Sequence, residues 1–553
     1  VGIKTNHPEF LLKTKHEASP KWGKGIVVCL LIIVPILIGL LQIQAPRSVK
    51  SDAPPDQFSS GRAMTKLEII AKEPHPIGSQ AHQAVQDYLV NELEGLGLKP
   101  EIQKATALLP QGGEIENIVT RIPGTDNSKA VMITAHYDSV PTAPGAGDDG
   151  AGIAAMLETI RALQVSGPLK NDLILLMTDG EETGLNGAKA FMNEHRFAKD
   201  VGVVLNFEAR GNKGPSFMFE TSDQNGWLIK EFIKAAPDPI AYSIIYSLYK
   251  SMPNDTDLTV FKQGDLPGLN FAFGMGLNAY HQPIDTPENL DPSSLQHHGE
   301  YMLSLSRHFG QLDLKQVKQE DLIYFNLYGS HMVSYPQSWS IWLMIVGTLF
   351  FILTIAYGIR QKKISVKGLA GGFIITLISL IVVFGLVTLS WSGLTSLVSN
   401  EQLKVILLDP QVSLYFLIGY IVAAVSIVCL LVRLISRKIR MENVWAGTLL
   451  LWTVLSIVMA IYLPGGSYLI IWPLLASLVG LNLSIRQKGD AGKWGSVFFA
   501  MPGLLLFAPV CYLIYVLMTL QLAGALLTVI ALAFTLIFPV ICKGRSLPHA
   551  QTH

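Results

Sequence analysis

At 553 residues the chain exceeds one ordinary domain, and a composition of 50% hydrophobic and only 15% charged residues is too apolar for a wholly soluble protein. Forty-two basic side chains balance forty-two acidic ones, so net charge recommends neither nucleic acid nor an acidic substrate. All four cysteines, Cys29, Cys429, Cys511 and Cys542, fall in or beside apolar runs, which excludes disulfide and thiol chemistry from residues 50–330.

In chain order, a basic tail (1–25) precedes an apolar run, 26–43. Its length and the lack of a clean small-x-small closure read as a transmembrane signal anchor rather than a cleaved signal peptide. Residues 44–57, QAPRSVKSDAPPDQ, form a Pro-rich linker. A globular domain is expected over 58–312. Val85, Leu89, Leu93 and Leu96 share one helical face, and Gly97 with Pro100 stops that helix. Short apolar runs at 131–135, 173–178, 203–207 and 269–273 have the length of buried strands, with helical stretches at 152–163, 187–194 and 227–235 between them. The alternation predicts an α/β domain, a mixed, largely parallel central sheet flanked by helices, whose site lies at the carboxyl ends of strands.

A connector, 313–338, leads to seven apolar segments at about 339–359, 369–391, 411–432, 444–463, 467–484, 494–519 and 522–542. They predict an all-α multi-spanning transmembrane domain over 339–542, followed by a short tail, 543–553. With the amino terminus inside, the cytoplasmic pieces hold eighteen Lys and Arg, and the short external loops hold only Lys404. The 58–312 domain is then extracytoplasmic. Between their basic ends the segments carry no ionisable group that must sit at the bilayer midplane, which disfavours an intramembrane protease or a proton-coupled transporter. Domain residues without cysteine suit a bacterial exterior at least as well as a lumen. The bacterial plasma membrane is the first expectation, and a vacuolar or endoplasmic reticulum membrane the alternative.

The chemistry concentrates at the ends of the predicted strands. His136 closes VMITA, and Asp138, two residues on, can bond its ring from behind and fix its tautomer. Asp148 and Asp149 follow in GAGDDGAG, where glycines let the backbone bend closely around an ion. Glu181 and Glu182 end LILLMT side by side, a placement that splits metal binding from proton transfer. Glu208 ends a third strand in VVLNFEARG, and His281 lies in YHQPIDTPE. The remaining histidines, His82, His297 and His298 among them, are read as packing or surface residues. Two histidines and three carboxylates without cysteine suit a hydrolytic two-zinc site better than a closed structural one.

HYDS with GDDGAG, EETGLNGA, NFE and YHQPIDT resemble the zinc aminopeptidase and carboxypeptidase family that includes bacterial leucyl aminopeptidases, aminopeptidase Y and glutamate carboxypeptidase. HPIGSQAHQAVQDYL is similar to that family's entry segment, and the likeness spans roughly residues 60–312. An anchor, a peptidase domain and a multi-spanning tail resemble its vacuolar and endoplasmic reticulum membrane members, although the tail here is shorter.

The resemblance implies a zinc-dependent peptidase, aminopeptidase-like and so an exopeptidase, with two Zn²⁺ ions and a peptide or protein substrate. Asp148 bridges the ions in that reading, His136 and Glu208 complete one, Glu182 and His281 the other, and Glu181 is the general base. Tyr280 donates to the oxyanion, with simple packing as its alternative. The resemblance also implies a cis peptide between Asp148 and Asp149. Secreted relatives resemble one another in having Asp at the position of Glu208, whose longer side chain alters the pocket for a substrate amine. Arg210, Asn254 and Asp257 are read first as structural hydrogen-bonding residues and second as pocket lining. The competing readings are a glutaminyl cyclase-like enzyme, which resembles this family but loses the first His ligand, a catalytically inactive receptor-like ectodomain, and a transporter carrying a peptidase-like domain. Oligomeric state is not readable from the chain.

Overall fold

The computed structural model describes residues 21–106, 114–126, 129–486 and 491–541. Most of the amino-terminal tail, the carboxy-terminal tail, Lys488 and Cys542 lie outside the described residues.

Among the described residues, seven strands build one sheet: β1 (Glu101–Thr106), β2 (Glu114–Ile122), β3 (Ala130–His136), β4 (Asp172–Thr178), β5 (Val201–Ala209), β6 (Phe217–Thr221) and β7 (Gly268–Phe273). Their order is β1-β2-β4-β3-β5-β7-β6. The four middle strands run parallel, and β1, β2 and β6 are antiparallel additions at the edges. Every residue of β3, β4, β5 and β7 is buried, which is why these four appear in the sequence as continuous apolar runs. β1 is half-exposed and polar, and β6 (FMFET) turns polar at Glu220 and Thr221, so neither carries such a signal.

Alternation along the strands feeds two cores. Val131, Ile133 and Ala135 point with Leu173, Leu175 and Phe207 toward helices Ala151–Gln164 and Pro292–Phe309. Met132, Ile174 and Val204 pack with Phe191 and Phe261 of Asn186–Glu194 and Asp257–Gln263 on the other face. The Pro-rich stretch before the domain is ordered by Arg62, which donates to the carbonyls of Ser51, Ala53 and Gln57 and pairs with buried Glu158 at 2.7 Å.

Among the described residues, six helical stretches are long and apolar enough to cross a membrane: Trp339–Arg360, Val366–Leu397, Pro410–Ile435, Met441–Tyr462, Tyr468–Arg486 and Val497–Val540. The last doubles back. Thr519 takes a φ of 54° at the turn Thr519–Leu522, and a Cβ on Gly503 would strike Leu536. That hairpin accounts for two of the seven expected apolar segments. A further helix, Lys21–Leu41, packs Gly39 against Ala508 and Pro509. Large apolar side chains such as Leu353, Ile381 and Leu389 are exposed, as contact with lipid tails requires.

The domain is seated on one end of this bundle through residues 313–338, which contain a hairpin of β8 (Leu322–Tyr328) and β9 (His331–Pro336). Phe325 stacks on Tyr468 at 4.3 Å, Ser243 Oγ donates to the Gly465 carbonyl at 2.7 Å, and Arg210 Nη1 donates to the Leu517 carbonyl at 3.4 Å. The turns 464–466 and 519–522 thus lie beside the domain. At the opposite end, Arg440 donates to the Lys362 carbonyl at 2.7 Å, bringing two basic loops together.

Candidate metal centre

Register places the side chains. His136 ends β3 opposite Thr178, the last residue of β4, so the turn carrying Glu181 and Glu182 starts at its level. Thr134 pairs with Asn206 of β5, which brings Glu208 alongside His136. The loop with Asp148 and Asp149 follows from Gly145, whose φ of 71° turns the chain back toward the strand ends. The Asp148–Asp149 peptide bond is cis. A Cβ on Gly152 would meet the Asp149 carboxylate at 2.6 Å, so glycine is required there.

Asp148 faces two separate pairs. Its Oδ1 lies 3.2 Å from His136 Nε2, which is 3.8 Å from Glu208 Oε2. Its Oδ2 lies 3.1 Å from His281 Nε2, which is 3.1 Å from Glu182 Oε1. Asp148 Oδ2 and Glu182 Oε1 thus approach the same His281 nitrogen. The ligand atoms of His136, Asp148 and Glu182 lie within 4.8 Å of one another, as do those of His136, Asp149 and Glu208. The Asp149 oxygens are already occupied, accepting from the His136 backbone at 3.2 Å and the Gly152 backbone at 3.1 Å.

The donor set fits cations. Burial, reinforced by neighbouring carboxylates, holds Asp149, Glu181, Glu182 and Glu208 above their usual range. Dications among these groups would reverse that balance, and imidazole with carboxylate and no thiol suits zinc at a hydrolytic site. His281 takes a φ of 57°, a left-handed conformation uncommon outside glycine and found where a side chain must be aimed.

The supporting residues do more than the sequence expectation assigns them. His136 Nδ1 lies 3.0 Å from the Asp138 carbonyl oxygen and 3.5 Å from its carboxylate. That carboxylate also accepts from the backbone N–H groups of Glu181 at 3.1 Å and Glu182 at 3.3 Å. Asp138 thus positions the turn as well as the imidazole. Asp285 had no assigned role in the sequence. Its carboxylate accepts from Gly147 N at 2.8 Å and Asp148 N at 3.3 Å, cradling the loop from below, and burial pushes its pKa up to about 7. Only its place in YHQPIDT could have signalled this.

Glu181 and Tyr280 line one cavity of about 720 Å³ with Asp148, Glu208, Arg210 and Asn254. The Tyr280 ring stacks on His281 at 3.8 Å, and burial with the nearby charges of Asp148, Glu182 and Glu181 raises its pKa, so it keeps its proton and can donate. Asp257 does not line the cavity. It is buried and accepts from Thr178 Oγ1 at 2.5 Å, tying β4 to helix Asp257–Gln263. His82, read as a packing residue, is buried and bonds Asp179 at 2.9 Å.

The fold and this cluster define a class: a metallopeptidase-like α/β domain seated on a bundle of apolar helices. Residues 117–306 match the model of Peptidase family M28. Endoplasmic reticulum metallopeptidase 1 of Mus musculus is 26% identical over 330 residues, covering 54% of this chain and 37% of the relative. Vacuolar membrane protease of Candida albicans (strain WO-1) is 32% identical over 270 residues, covering 48% of this chain and 31% of the relative. The chain therefore spans about a third of the length of these curated relatives. Both are named for organelle membranes, and the bacterial plasma membrane expected from the sequence finds no support in them. Among solved structures, an aminopeptidase from Aneurinibacillus sp. strain AM-1 aligns at 13% identity and a TM-score of 0.39, over 48% of this chain and 97% of that one. A Porphyromonas gingivalis glutaminyl cyclase aligns at 19% identity and a TM-score of 0.37, over 45% and 98%.

Proposed function

We propose that the chain is a membrane-anchored two-zinc metallopeptidase, aminopeptidase-like, working on the extracytoplasmic side of its membrane. The observation that carries this is the Asp148 carboxylate, whose two oxygens each face a different His–Glu pair. His136 and Glu208 would hold one ion, and His281 and Glu182 the other. Such a pair of ions supplies acidification of a water and polarisation of the scissile carbonyl. The protein's own groups do the rest. Glu181, held half-buried by the Asp138-capped turn, takes the proton from the attacking water and returns it to the leaving amine. Tyr280 donates to the oxyanion, and the apolar cavity limits competing water.

The sidedness rests on the charge count and on docking. Turns 464–466 and 519–522, next to the domain, are loops the count makes external. The loops at Lys362 and Arg440, at the far end, are basic and internal. The names of the related metallopeptidase and vacuolar protease favour peptide-bond hydrolysis, and the exopeptidase preference comes from the family resemblance.

The test is metal analysis of the full chain together with its Glu181→Gln variant, against free-amine, blocked-amine and internal-bond peptides. Expected are about two zinc ions per chain in both forms, and a loss of about 10²–10⁴-fold in hydrolysis of free-amine peptides by the variant. A single ion, or ordinary turnover by Glu181→Gln, would overturn this reading.

A further inference from the structure

The cavity that contains Glu181 and Tyr280 is not enclosed by the peptidase domain alone. One wall belongs to the domain, through Phe217, Phe219, Ile245 and Tyr249. The facing wall belongs to the last membrane hairpin, through Ile514, Leu517, Leu522, Leu526 and Val529. Arg210 fastens the two walls by donating to the Leu517 carbonyl at 3.4 Å, and Tyr512 Oη reaches Met275 Sδ at 3.7 Å. Leu522, at the turn of the hairpin, lines the cavity and is 51% exposed, so the apolar wall is open rather than sealed there. At about 720 Å³ the space lies within the roughly 300–1,000 Å³ range of ligand sites, more than one small side chain fills.

A hydrophilic peptide gains nothing from such a wall, since its polar backbone would lose water there without partners. A long apolar group gains by leaving water, or by passing from the bilayer without crossing it. We propose that the substrate carries a long apolar group beside the scissile amide, seated between the domain and residues 514–529, and that it enters at the level of the bilayer surface. This specificity rests on the peptidase reading for its chemistry and on the two-walled cavity for its selectivity. The apolar group has two possible sources, an amino-acid side chain or an attached acyl chain.

The experiment uses the full chain in lipid nanodiscs and two amide series of equal length range. One extends the side chain from alanine to 2-aminododecanoic acid, and the other extends an acyl chain on an alanyl peptide. Expected is a rise in kcat/KM of about threefold per methylene in one series, which identifies the source. Leu522→Gln should flatten that rise, and Leu522→Trp, which fills the space, should move the optimum to shorter chains. A diazirine at the chain terminus should crosslink within 514–529 in Glu181→Gln protein and be competed by unlabelled substrate. Flat kcat/KM in both series, or crosslinks spread without competition over the lipid-facing helices, would overturn the inference. Absence of all hydrolysis with competed crosslinks at 514–529 would instead overturn the peptidase reading and leave the apolar site standing.

Discussion

Asp285 shows how much of a candidate metal centre is built by residues outside the donor set. It spends both oxygens on the backbone of Gly147 and Asp148, fixing the height of the carboxylate that faces both His–Glu pairs. Asp285→Ala removes both acceptors and frees the loop. Zinc affinity, measured by competition with a chelator, should fall by about 10- to 100-fold, with Asp285→Asn between the two because it keeps one acceptor. Unchanged affinity in Asp285→Ala would mean that the Gly145 turn holds the loop unaided. The candidate ligands were legible in the sequence because His136, Glu182 and Glu208 follow apolar runs, while Asp148 and His281 sit in Gly- and Pro-containing loops. Asp285 was not, because its partners lie 138 and 137 residues away. Asp138 was half-legible: its closeness to His136 is local, but its grip on the turn at Glu181 needs β3 and β4 in register.

At the scale of elements, helix Pro292–Phe309 supports the sheet beneath the site with two buried histidines. His298 sits edge-on to Phe207 and Phe273, with Ser216 Oγ 2.9 Å from its Nδ1. Burial pushes His297 down to about 4 and His298 down to about 3. Unfolded, both return to about 6.5, so the unfolded chain binds more protons between these values and stability rises with pH. It is complete above about pH 6.5 and is lost toward pH 4 at about 1.4 kcal/mol per pH unit for each histidine. Stability of the full chain against denaturant, followed from about pH 7 to about pH 5, reads that slope. His298→Asn should lower the slope by about 1.4 kcal/mol per pH unit whatever it does to absolute stability, and an unaltered slope would remove His298 as a contributor. The same helix illustrates a limit of pattern reading. It buries twelve of its eighteen residues, several polar, so its apolar periodicity is weak and it gave no clear signal. The four central strands were plain because burial on both faces demands unbroken apolar runs, whereas β1 and β2 answer partly to solvent.

At the scale of the whole molecule, the domain and bundle form one body whose two ends differ in charge. A reporter after Arg440 should be cytoplasmic, and a tag at Asp52 should be reached only from the other side. Labelling of both from one side would overturn the helix count and the sidedness with it. Composition, run length and loop charge determined by themselves that an α/β domain with metal-type side chains is joined to several apolar segments. Such properties follow from each residue's own solvation and from spacings of a few residues, and they survive without tertiary contact. Which oxygen of Asp148 faces which histidine, and that Arg210 meets Leu517 from 307 positions away, was decided only when sheet and bundle packed together. Those distances are set by strand register and by the fit of one apolar wall against another, for which no short stretch of the chain carries a code.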